Sequence, residues 1–84
     1  MSLSTTQRRV LLALCRPYRA ERRFARPASD QQIAEELFLS ARGVRTHLEV
    51  LYAKLGLEQL AESDRRVGLV EQAFSTGLIS ERDL

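Results

Sequence analysis

Residues 29–57 read SDQQIAEELFLSARGVRTHLEVLYAKLGL, and they contain two helices joined by a tight turn. Ser29 followed three residues later by Gln32 is a capping-box pattern, and Asp30 adds negative charge where a helix dipole favours it. Ile33, Ala34 and Leu37 then form a short apolar stripe. Phe38 and Leu39 end that helix, and Ser40 is a good N-cap for the next. The later helix runs to about Leu55, where Gly56 supplies the stop. Two helices around a turn of three to four residues have the proportions of a helix-turn-helix, whose later helix enters the major groove N-terminal end first.

The later helix has two faces suited to that role. Val44, Leu48, Leu51 and Leu55 are spaced four, three and four apart, so they share one side and face a core. Arg42, Thr46, Glu49 and Ala53 point roughly the opposite way, flanked by Arg45 and Val50. Arg42 and Arg45 are long donors that pair with guanine or grip phosphate. The Thr46 hydroxyl and methyl suit a base edge. Ser40 and the first N–H groups of this helix make a natural phosphate contact. Glu49 repels phosphate but accepts from a cytosine amino group.

Working outward, Ser4 or Thr5 caps a first helix that carries Val10, Leu11 and Leu14 and stops near Arg16, before Pro17. Residues 16–28 form a long connection bracketed by Pro17 and Pro27 and filled with arginines, with room for a short helical turn between Tyr18 and Phe24. A fourth helix starts at Ser63 or Asp64 and ends near Gly77, with Val67, Val70 and Phe74 as its inward stripe. Leu78 and Ile79 then cover the core. The expectation is one all-α, four-helix domain over residues 1–84. Its core comprises Val10, Leu14, Ile33, Leu37, Val44, Leu48, Leu51, Val67, Val70 and Phe74, because each helix must bury its one apolar stripe. Leu69 lies off the inward stripe, as a lone surface leucine or as part of a self-association patch with Ala73.

Charge is unevenly distributed. Residues 1–26 hold seven Arg against one Glu, whereas residues 27–84 hold six Lys or Arg against ten Asp or Glu, for a net +2 over 84 residues. A basic block of this kind points to a polyanion, with Arg19, Arg22 and Arg23 as phosphate contacts, or else to a solvated loop. The chain has no apolar run long enough for a membrane helix and no signal-peptide layout. Its single cysteine, Cys15, makes neither an internal disulfide nor a zinc site alone and reads as a small buried hydrophobe. His47 has no ligand cluster around it, and no nucleophile–base pairing or phosphate-cradling glycine loop is present. Neither an enzyme nor a cofactor or metal site is expected, and the setting is cytoplasmic.

The segment from Ile33 to Leu57 resembles the helix-turn-helix of the LuxR/NarL family, with its pattern IAxxLxLSxxTVKxHxxxIxxKL. The matching residues are Ile33-Ala34, Leu37, Leu39-Ser40, Val44, Arg45, His47, Leu51 and Lys54-Leu55-Gly56. Leu3 to Leu11 is similar to the family's opening LTxREREVL. The resemblance implies a four-helix domain in which the third helix recognises double-stranded DNA and the fourth often forms a dimer contact. By position, Arg45 and Thr46 become groove contacts, and Ser40 and Lys54 lie near phosphates. The chain departs from the family in its longer 16–28 and 56–63 connections and in Glu49. The stretched form resembles a subgroup associated with multidomain actinobacterial signalling regulators, so further domains of a larger regulator are expected. Weak self-association through the fourth helix is expected because one such domain covers only a few base pairs and specificity needs two copies on paired half-sites. Two functions follow. One is sequence-specific DNA binding in transcriptional regulation. The other is a protein-interaction module on a scaffold that no longer binds DNA. A positive face joining Arg42 and Arg45 to the 16–26 loop favours the first, and a third helix ringed by carboxylates favours the second.

Overall fold

The computed structural model describes residues 2–84. These residues form four α-helices, α1 (Thr5–Cys15), α2 (Asp30–Leu37), α3 (Ala41–Lys54) and α4 (Glu62–Ser75), with short 3-10 turns at Arg16–Arg19 and Glu81–Asp83 and no strand. The all-helical, four-helix expectation is met. No helix among the described residues is long and apolar enough to cross a membrane.

Local chemistry accounts for most boundaries. Ser4 Oγ accepts from the Gln7 N–H at 3.0 Å, and the Ser4 N–H donates to Gln7 Oε1 at 3.0 Å, a complete capping box for α1. Ser29 and Gln32 repeat it at α2 with 3.1 and 2.8 Å. Ser40 Oγ accepts from the Gly43 N–H at 2.9 Å at the head of α3. Each cap satisfies a backbone donor that the first helical turn leaves without a partner. At the C-terminal end of α2, Phe38 takes a left-handed conformation with φ 58, and the Leu39 N–H closes onto Ala34 O at 3.0 Å. Gly56, with φ 71, performs the same turn after α3, where the Leu57 N–H reaches Tyr52 O at 2.9 Å.

The fourth helix starts at Glu62 with Ala61 as its N-cap, slightly earlier than the serine-based reading, and no side chain caps it. Its entry is organised from inside the helix. The Arg65 guanidinium donates to Glu58 O and Leu60 O, both at 2.7 Å, and so pins the preceding loop. That loop is seated by Leu57, which is buried.

One core joins all four helices. It contains Val10, Leu11 and Leu14 of α1, Ile33 and Leu37 of α2, and Val44, Leu48 and Leu51 of α3. The α4 expectation needs correction. Its inward face is Leu69, Val70 and Ala73, of which Leu69 and Ala73 are 0% exposed, whereas Val67 is 43% exposed and Phe74 only half-buried. The two stripes share Val70 and differ by about a quarter turn at roughly 100° per residue. A surface patch for self-association at Leu69 and Ala73 therefore does not exist, because both are fully enclosed by the monomer's own core.

Long-range bonds fix that rotation. Arg66 on α4 donates to Asp30 Oδ1 at 2.7 Å and to Ala28 O, which turns the Leu69 side of the helix inward. The 16–28 connection is anchored at its far end, where buried Ala28 donates its N–H to Leu14 O at 3.0 Å. Its helical turn lies at Arg16–Arg19, just after α1. Beyond α4, Ile79 and Leu84 return to the core, while Leu78 is half-buried. Cys15 is fully buried, as its reading as a small hydrophobe requires.

Candidate nucleic-acid interface

The exposed face of α3 is opposite its buried side chains Val44, Leu48, Leu51 and Tyr52. Arg42, Arg45, Thr46, Glu49 and Val50 are all exposed on it. At its head, the Ser40 hydroxyl already accepts from Gly43, so what remains available is its O–H proton, which suits an anionic oxygen. Thr46 Oγ1 donates back to Arg42 O at 3.1 Å. Its proton is occupied, so it offers an acceptor oxygen and a methyl group. Among the described residues the Arg42 side chain has no hydrogen-bond or ion-pair partner.

Arg45 is differently placed. Its Nε stands 3.5 Å from Asp30 Oδ2 on α2, and one terminal nitrogen stands 3.8 Å from Glu62 Oε1 on α4. Its side chain is nonetheless 61% exposed. Asp30 is held far more firmly from its other side by Arg66, and both those side chains are largely covered, at 21% and 23%. Beneath them lies Tyr52, whose phenol burial pushes above its ordinary 10.0 while nearby Arg66 pulls the other way. Glu49 borders the same shallow pocket beside Arg45, Glu62 and Arg66. Two carboxylates, Asp30 and Glu62, therefore contact Arg45, and a third, Glu49, lines the same pocket.

The remaining candidates lie apart from this cluster. Lys54 is at the opposite end of α3, where its ammonium donates to Gln7 Oε1 at 2.7 Å and Ser2 O at 3.2 Å. Arg22 faces the last turn of α4, 4.3 Å above the Phe74 ring and 3.0 Å from Glu81. Arg45 faces the first turn of the same helix, so about 18 Å of helix separates their contacts. Arg23 stacks on its neighbour Phe24 at 5.5 Å, and Arg19 is exposed without an acidic partner among the described residues.

In sequence, Asp30 stands out only as a charge favoured by the helix dipole, and Glu62 and Arg66 carry no local signal. Asp30 and Glu62 meet at Arg45, and Arg66 reaches Asp30 across 36 residues of sequence, so no local pattern signals the cluster. Among the described residues no cluster of His, Cys, Asp and Glu is arranged to hold a metal ion.

The family model described as bacterial regulatory proteins, luxR family (GerE) matches residues 23–66, just over half of the chain. The matched stretch covers α2, α3 and the Asp30–Arg45–Arg66 cluster. No curated protein and no solved structure matches the chain.

Proposed function

The chain belongs to the luxR family of bacterial regulatory proteins, and we propose that it is a cytoplasmic, sequence-specific double-stranded DNA-binding domain that places α3 in the major groove. One observation carries the reading. The helix that follows the turn buries one side completely and leaves Arg42, Arg45 and Thr46 exposed together at its N-terminal half, with a capped and unobstructed end. In this reading Arg42, Arg45 and Thr46 meet base edges, Glu49 accepts from a cytosine amino group, and Ser40 donates to phosphate. Lys54, Arg19 and Arg23 add phosphate contacts, and Arg22 joins them once released from Glu81.

The second reading, a protein-interaction module, draws on Asp30, Glu49 and Glu62 around Arg45. Fluorescence anisotropy on an enriched duplex and on scrambled duplexes at several salt concentrations separates the two. Arg45→Ala lowers affinity for the enriched duplex by about 1–3 kcal/mol and relaxes preference at one position. Glu49→Lys raises affinity for every duplex, because an attractive charge replaces a repulsive one. Absence of salt-dependent binding to any duplex overturns the DNA-binding reading and favours the interaction module.

A further inference from the structure

We propose that Asp30, clamped by Arg66, is a positioning residue that aims Arg45 at its base, and that Glu62 competes with that base for the same guanidinium. The inference rests on the DNA-binding reading and adds to it a specificity device that spans three helices.

The atoms define the division of roles. Arg66 donates to Asp30 Oδ1 at 2.7 Å and to Ala28 O, so the carboxylate is fixed by a forked donor from α4. Its second oxygen, Oδ2, is left facing Arg45 Nε at 3.5 Å. Bidentate pairing with guanine O6 and N7 needs two parallel N–H groups. Asp30 engages the inner edge of the Arg45 guanidinium, which leaves the two terminal nitrogens available for that pairing. Glu62 stands 3.8 Å from one of those nitrogens, so a base must displace it.

Magnitudes separate positioning from sequestration. The Arg45 contacts are long and its side chain is 61% exposed. Ion pairs of that kind contribute little, whereas a good bidentate base contact is worth considerably more. The carboxylates therefore do not withhold Arg45 from DNA. A weak contact to a fixed carboxylate still narrows the directions that a long, rotamer-rich side chain samples, and a preorganised reader loses less on binding. Glu62 lacks such anchoring, since its side chain is 73% exposed.

The test uses the full chain and a duplex enriched from a randomised double-stranded pool, with each base pair then replaced singly. Selectivity is the Kd ratio between replaced and enriched duplexes. At the base pair where Arg45→Ala abolishes selectivity, Asp30→Asn lowers it by about fivefold, a part of what a full bidentate contact provides. Asp30→Asn has no further effect in the Arg45→Ala background, a coupling that a purely structural role does not produce. Arg66→Lys keeps the cation but loses the fork, so it reproduces the selectivity loss by a second route and serves if Asp30→Asn does not fold. Glu62→Gln tightens binding to every duplex about two- to threefold. The proposal is overturned if folded Asp30→Asn and Arg66→Lys keep full selectivity, if either tightens binding as Glu62→Gln does, or if the loss persists without Arg45. If no duplex is enriched at all, the DNA-binding reading falls and this inference with it. Enrichment with unchanged selectivity removes the inference alone.

Discussion

At Phe38 the backbone holds φ 58 while the ring is 93% exposed. An L-residue in the left-handed region is strained by about 1–2 kcal/mol, and this ring recovers nothing by burial. Phe38→Gly removes the strain but adds entropy to the unfolded chain, so a net gain of about 0.5 kcal/mol is expected from urea unfolding. A lower midpoint would show that the ring makes a stabilising contact. Cys15 provides a second test at this scale. Burial pushes its thiol from 9.0 up to about 12. The folded state therefore holds the proton more tightly than the unfolded state. The corresponding stability is complete below about pH 9 and declines as pH rises toward 12. Cys15→Ala should flatten that alkaline decline relative to the wild type, measured by urea midpoints across the range. An identical decline in both proteins would assign it to other groups, such as the buried phenol of Tyr52. At neutral pH the thiol should react with an alkylating reagent only as fast as the domain opens.

Among the elements, α2 and α3 were legible because their signals are local. Ser29 with Gln32, Ser40 and Gly56 each act within one turn of their own position, and the structure shows all of them acting there. For α4 the sequence locates the helix but not its rotation. Val67, Val70 and Phe74 have a good helical spacing, and so do Leu69, Val70 and Ala73, so periodicity alone does not choose. The choice is made by Arg66 reaching α2 and Ala28. A paired substitution measures it. Leu69→Ala should cost about 2–5 kcal/mol as a buried truncation, while Val67→Ala should stay within about 1 kcal/mol. Equal costs would restore the other face. The exposed Val67 and half-buried Phe74 instead line an open groove of about 470 Å³ with Tyr18 and Arg22.

Across the whole molecule, much of the charge asymmetry is neutralised internally. Three arginines of the basic block hold the acidic C-terminal segment. Arg8 contacts Asp83 at 3.4 Å and Leu78 O at 2.9 Å, Arg16 donates to Leu84 O, and Arg22 contacts Glu81. Asp83 sits below its ordinary carboxyl value chiefly because the Ser80 N–H donates to it, with Arg8 adding to the effect. Of the three phosphate candidates in this block, Arg19 and Arg23 have side chains without an acidic partner among the described residues and are then stronger than Arg22. Arg19→Ala should weaken all duplexes alike and reduce the salt slope by about one. Arg22→Ala should reduce it less, since Glu81 must first be displaced, and a larger effect for Arg22 than for Arg19 would reverse that ranking. The sequence by itself determined the helix count, the caps of α1 to α3, the turn between α2 and α3, and which α3 residues face outward, because each depends on residues within a few positions of one another. Only the tertiary structure decided the rotation of α4, the burial of Leu69 and Ala73, the destination of the basic block, and the Asp30–Arg66 clamp beside Arg45. Those depend on which charged groups meet across dozens of residues, and such meetings are set by the packing of whole helices.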